Sequence, residues 1–126
     1  MRQHHLDQAN RNYRLYTELR ERYLDWATTL LFYTAVQFIE AWLLERLPTS
    51  SGSHVGMANR MTRLSVPRDV FGAYETLHDL SRTARYGRWQ PVLDPQRLDA
   101  VYDDEYRLLC RHFGASSQIS PPDPEP

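Results

Sequence analysis

The sequence predicts an all-α fold, an up-and-down helical bundle of four to five helices. Three observations carry that expectation. Apolar residues recur at steps of three and four along most of the chain, prolines and Gly/Ser-rich stretches separate the periodic segments, and nothing alternates with the period of two that marks a half-buried strand. At 126 residues there is room for one domain around one core. The expected organisation is a bundle over residues 1–114 followed by a disordered Pro-rich tail, ASSQISPPDPEP, over 115–126.

The first helix is expected from about Leu6 to Tyr23, where Leu6, Ala9, Tyr13, Tyr16, Leu19 and Tyr23 share one face and the opposite side is Arg and Glu. A second begins near Asp25, a candidate N-cap, and runs to Leu47, where Pro48 opposes continuation. It is apolar over most of its circumference, so it should be surrounded by other helices. Gln37, Glu40, Glu45 and Arg46 interrupt the run and argue for a core helix over a membrane span. PTSSGSH, residues 48–54, reads as a loop whose serines could cap a short third helix from His54 to Leu64, with Met57, Met61 and Leu64 inward. Pro67 suits the first turn of a fourth helix, Arg68 to Tyr86, with Val70, Ala73, Tyr74, Leu77, Leu80 and Ala84 inward. After the break GRWQPVLDP, Asp94 caps and Pro95 starts a fifth helix ending at Gly114, supported by Leu98, Val101, Tyr102, Leu108 and Leu109.

Composition excludes some functions. Net charge is −1, which is not the strongly basic balance of a dedicated DNA binder. All fifteen cationic side chains are arginines, and six of them fall between Ser53 and Trp89 against three acids, so a local cationic face is expected. The single cysteine, Cys110, cannot form an intrachain disulfide, and MRQHHLDQANRNY has no apolar signal core; a cytoplasmic location is the expectation. No Cys-x-x-Cys, His-Glu-x-x-His, Gly-rich phosphate loop or Gly-x-Ser-x-Gly elbow is present, so no cofactor or metal is expected. His4 and His5 lie at a terminus, where they are expected to be too mobile to form a site.

The succession DQANRNYRLYTEL, YLDWATTLLFYTAVQFIEAWL, SGSHVGMANRM and LHDLSRTARYG resembles the small bacterial HEPN-domain proteins, a nucleotide-binding domain shared by prokaryotes and higher eukaryotes. The likeness spans roughly residues 5–113 and is made of soft motifs. It implies a helical bundle that often forms a homodimer, with many members acting as metal-independent ribonucleases in toxin–antitoxin or defence systems, so RNA or a nucleotide and an antitoxin or other protein are the implied partners. The family's usual catalytic pattern is Arg followed by His after four to six residues. Its one match here is Arg107 and His112, whose side chains would lie about 140° apart on a helix. His112 also has a structural use as a cation near a helix C-terminus.

Other residues suit the implied chemistry better. His54, Arg60 and Arg82 are the candidate catalytic residues, with Asn59, His78, Arg85 and Tyr86 as binding residues. His78, Arg82 and Tyr86 follow at i, i+4 and i+8, with Arg85 beside them. A neutral histidine can take a 2′-hydroxyl proton, arginines can fork onto a phosphate, and tyrosine can stack on a base. Here His precedes Arg, the reverse of the family's order. Gln37 stands where the resembling proteins often carry histidine. Gln37 and Glu40, one turn apart, are read as a polar seam in which the buried carboxylate anchors an arginine from the fourth helix. The competing function is a non-catalytic module that uses the bundle to dimerise or hold a partner protein.

Overall fold

The computed structural model describes residues 2–47, 49–86 and 94–114, and of Tyr86 the backbone alone. The expected tail over 115–126 and most of the GRWQPVLDP break lie outside the described residues. The chain runs α1 (Arg2–Leu19), α2 (Leu24–Leu44), α3 (His54–Arg63), α4 (Arg68–Tyr86), α5 (Pro95–Val101), a π-helical turn (Tyr102–Tyr106) and α6 (Arg107–His112). Among the described residues there is no strand, and the fold is an all-α helical bundle.

α2 is the hub. It has the length and apolarity of a membrane span, yet Ala27, Leu31, Phe32, Ala35, Phe38, Ile39 and Leu43 are all buried among the other helices. α1 packs along it, α4 lies against it as well, and α4 also meets the π-helical turn and α6. Inside α2, the hydroxyls of Thr28, Thr29 and Thr34 each donate to the carbonyl four residues back, which makes buried threonines tolerable in an apolar helix.

Two helix starts differ from expectation. α1 begins at Arg2 and stops at Leu19, so Tyr23 falls in the connecting turn and is exposed instead of inward. Asp25 is not the N-cap of α2: Tyr23 holds that position without a side-chain bond, and the Asp25 carboxylate accepts from the N–H of Trp26 within the first turn. The expected caps elsewhere are present. The Ser53 hydroxyl accepts from the Gly56 N–H at 3.0 Å, and Asp94 accepts from the Arg97 N–H at 2.7 Å.

The fifth expected helix is three pieces. Val101 and Tyr106 are both buried but five residues apart, and the π-helical turn between them absorbs the surplus residue. Downstream, Leu109, Cys110 and Phe113 therefore reach the core, while Leu108 is only half-buried. Gly114 follows with φ +67°, the left-handed conformation that ends a helix readily at glycine.

That turn also completes a tyrosine stack. Tyr16 lies parallel to Tyr102 at 5.8 Å, Tyr13 to Tyr106 at 6.1 Å, and Tyr102 to Tyr106 at 5.0 Å; the Tyr13 and Tyr102 hydroxyls are hydrogen-bonded. Burial pushes the Tyr13, Tyr16 and Tyr106 phenols well above the usual tyrosine range, and raises the Cys110 thiol to about 11, so that thiol stays protonated at neutral pH.

Candidate functional site

The site begins with a loop that the sequence forces against α3. A Cβ on Gly56 would lie 2.1 Å from the Ser51 carbonyl oxygen, so only glycine admits this approach. Gly52, in the same loop, has φ +77°. Glu40, 6% exposed, accepts from the Ser51 N–H at 2.7 Å and from the Ser51 hydroxyl at 2.6 Å. Arg60 reaches back from α3 to donate to the Thr49 hydroxyl at 2.6 Å and to the Ser50 carbonyl at 3.0 Å. Three contacts thus fold the segment after α2 back onto the bundle and fix where α3 starts.

This corrects the expected partner of Glu40. The buried carboxylate is satisfied by a serine of the α2–α3 connection, not by an arginine of α4, because the loop arrives first and supplies both an N–H and an O–H. The arginine that does approach α2 from α4 is Arg85. It donates to the Tyr33 hydroxyl at 2.6 Å, with its guanidinium 5.3 Å from the Tyr33 ring centre.

At the start of α3, His54 comes under α4. Its ring centre is 4.5 Å from that of His78, and its Nδ1 is 3.3 Å from the Tyr74 hydroxyl. Phe32 of α2 lies beneath both imidazoles, 5.4 Å from His54 and stacked on His78 at 5.2 Å. On α4 the residues involved are Tyr74, His78 and Arg85, spaced four and seven apart on one side. Arg82, one turn beyond His78, is exposed.

Electrostatics follow from this arrangement. Burial lowers the His54 pKa below the usual 6.5, and the neighbouring His78 and Arg85 lower it further. His78 is also lowered, first by burial; Asp79 opposes the shift, while Arg82 and Arg85 add to it. Both imidazoles are therefore neutral at pH 7. Burial raises the Tyr74 phenol to about 12, which keeps it a hydroxyl able to donate to His54. The cluster can offer a neutral base, a second imidazole to carry a proton, and two guanidinium groups for an anion.

Of the seven residues singled out in the sequence, His54, His78 and Arg85 come together, with Arg82 at the margin. Arg60 is turned to the loop as a tie, and Asn59 is exposed on α3. The side chain of Tyr86 lies outside the described residues. Arg107 and His112 go to different neighbours: Arg107 pairs with Asp103 at 3.6 Å, and His112 packs on Trp42 at 5.8 Å.

Sequence reasoning missed three residues. Tyr33 and Tyr74 read only as core positions. His5, set aside as terminal, is held within α1 and shares a 2.6 Å hydrogen bond with Gln37, which joins the polar seam of α2 to α1. The signal for it was the apolar face one turn further on, since Leu6 and Ala9 carry α1 back to Arg2.

Beside the imidazole pair lies a cavity of about 520 Å³ lined by His5, Gln37, Glu40, His54, Met57 and the Ser50–Ser53 loop, within the size range of small-ligand sites. Among the described residues no three His, Cys, Asp or Glu side chains gather as a metal site would need. Comparison with protein-family models, with curated proteins and with solved structures finds no match to this chain.

Proposed function

We propose that this bundle binds RNA or a nucleotide through its phosphate at the cluster of His54, His78, Arg82 and Arg85, as the resemblance to HEPN-domain proteins implies, and that the imidazole pair suits metal-independent RNA cleavage. The observation that carries the reading is the 4.5 Å approach of two neutral histidines beside Arg85. A catalytic pair of this kind needs one imidazole as base and one as acid. The base removes the 2′-hydroxyl proton, the 2′-oxygen attacks phosphorus, and the 5′-oxygen leaves with a proton from the imidazolium. The products are a 2′,3′-cyclic phosphate and a 5′-hydroxyl, and the arginines stabilise the charge that builds on the phosphoryl oxygens. Because both imidazoles are lowered, the half-protonated pair is most populated below pH 6.5, and cleavage is expected to be fastest there.

The test is incubation of the purified protein with a mixed RNA pool, with and without EDTA, beside His54→Ala, His78→Ala and Arg82→Ala variants. Cleavage that survives EDTA and is lost in either histidine variant supports the reading. Intact RNA, together with no retardation of RNA on a gel, overturns it. Cleavage retained by both histidine variants overturns the choice of residues.

One observation favours the second reading, a non-catalytic dimerisation or protein-interaction module. Tyr23 and Trp26, at the turn between α1 and α2, are 54% and 60% exposed. Sedimentation velocity of the wild-type chain and a Trp26→Arg variant decides it: a homodimer that the variant dissolves, with no affinity for RNA, places the function there.

A further inference from the structure

The cavity beside the imidazole pair has a chemistry of its own. Val36 and Met57 give it apolar walls, and the rings of His5 and His54 supply flat edges. Its polar groups are neutral amide, imidazole and hydroxyls, apart from one carboxylate, Glu40. No arginine lines it, so a phosphate placed there would face Glu40 without a fixed countercharge. An anionic group belongs outside, on Arg82 and Arg85.

What fits inside is a flat, neutral group with hydrogen-bond donors. Each Glu40 oxygen already accepts one bond from Ser51, and a carboxylate oxygen retains a second lone pair. That leaves an acceptor for an amino group. Gln37, one turn away, uses its Oε1 with His5 and keeps its amide N–H₂ to donate. Acceptor and donor thus sit side by side on one edge of α2. His54 belongs to both places: its ring touches His78 and it lines the cavity. A nucleotide, which carries base and phosphate on either side of one sugar, spans that junction.

We infer that the cavity lined by His5, Gln37, Glu40 and His54 is a base-binding subsite that takes an amino-bearing nucleobase, its sugar-phosphate lying on the His54–His78–Arg85 cluster. The base stacks between ring and thioether, Glu40 accepts from its exocyclic amino group, and Gln37 donates to the neighbouring ring nitrogen or carbonyl. Uracil presents a carbonyl where cytosine presents an amino group, so it would put an oxygen against the carboxylate. The inference rests on the phosphate reading given above only for the position of the phosphate.

The test is calorimetric titration of the full chain with cytidine monophosphate, uridine monophosphate, ribose 5-phosphate, free cytidine and putrescine. Cytidine monophosphate is expected to bind about tenfold more tightly than ribose 5-phosphate and about fivefold more tightly than uridine monophosphate. Gln37→Leu should bring cytidine monophosphate to the level of ribose 5-phosphate and leave the latter unchanged. His5→Phe keeps a ring but loses the bond to Gln37, and it serves the same purpose if Gln37→Leu does not fold. Equal affinity for the two nucleotides and the sugar phosphate overturns the subsite. Binding of cytidine that depends on Gln37, with none of ribose 5-phosphate, keeps the subsite and overturns the phosphate cluster. Binding of putrescine alone assigns the cavity to amines and overturns the inference, and binding of nothing overturns both readings.

Discussion

Replacing Glu40 with alanine should loosen the whole α2–α3 connection. The carboxylate accepts two hydrogen bonds from Ser51, at 2.7 and 2.6 Å, and is 6% exposed. Charge-assisted bonds are worth about 1.5–3 kcal/mol each, so the pair sets a ceiling of roughly 3–6 kcal/mol. Ser51 is only half-buried, and water can replace part of what is lost, which brings the expected cost to about 2–4 kcal/mol. At about 3–5 °C per kcal/mol for a chain of this size, Tm should fall by roughly 6–20 °C. Urea unfolding of wild type, Glu40→Ala, Ser51→Ala and the double variant measures it. Ser51→Ala keeps the backbone bond and removes the hydroxyl bond, so the coupling energy of the cycle should be about 1–2 kcal/mol. A Glu40→Ala cost below about 0.5 kcal/mol, or a coupling indistinguishable from zero, would refute the claim that this carboxylate holds the loop.

Gly56→Ala should cost about 1–3 kcal/mol, because the new methyl meets a backbone oxygen at 2.1 Å and either the loop or α3 must give way; thermal melts report it, and weakened RNA retention should accompany it. The lowered His54 and His78 pKa values set an acid-side stability change: the unfolded chain binds protons more readily, so the full stability is present above pH 6.5 and falls as pH drops through the folded values. Tm measured from pH 7.5 to 5 should decline, and a His54→Phe, His78→Phe double variant should flatten that decline. On the alkaline side the raised Tyr13, Tyr16 and Tyr106 values act in the opposite direction, with stability full below pH 10 and lost as pH rises beyond it. Absorbance at 295 nm should show these phenols ionising only with cooperative unfolding, as circular dichroism at 222 nm would confirm.

Much of the fold was legible because burial follows helical period. Leu6, Ala9, Tyr13 and Tyr16 on α1 and Val70, Ala73, Tyr74, Leu77 and Leu80 on α4 are all buried, as their spacing requires. α4 occupies the expected residues, and Ser53 and Asp94 cap where short polar side chains precede a helix. The π-helical turn was not legible, since Leu98, Val101 and Leu108 fit an uninterrupted helix nearly as well as the real one. Within the site, His54, His78 and Arg85 were readable as chemically suited side chains, but their meeting depends on a tertiary event, the return of the loop through Glu40 and Gly56. Periodicity carries no information about that return. The same limit explains Arg60 and Arg82: on a helix, sequence spacing shows which side chains are neighbours, but not which of them a loop claims.

The π-helical turn makes the C-terminal segment sensitive to chain length at one place. Removing a single residue there, Asp104 for instance, would restore ordinary winding and rotate everything after it by about 100°. Leu109, Cys110 and Phe113 would swing out of the interior, and Arg107, Leu108 and Arg111 would turn toward new directions. The last two turns of the bundle are thus phase-locked to one surplus residue, so a one-residue deletion there is expected to be more damaging than most single substitutions nearby.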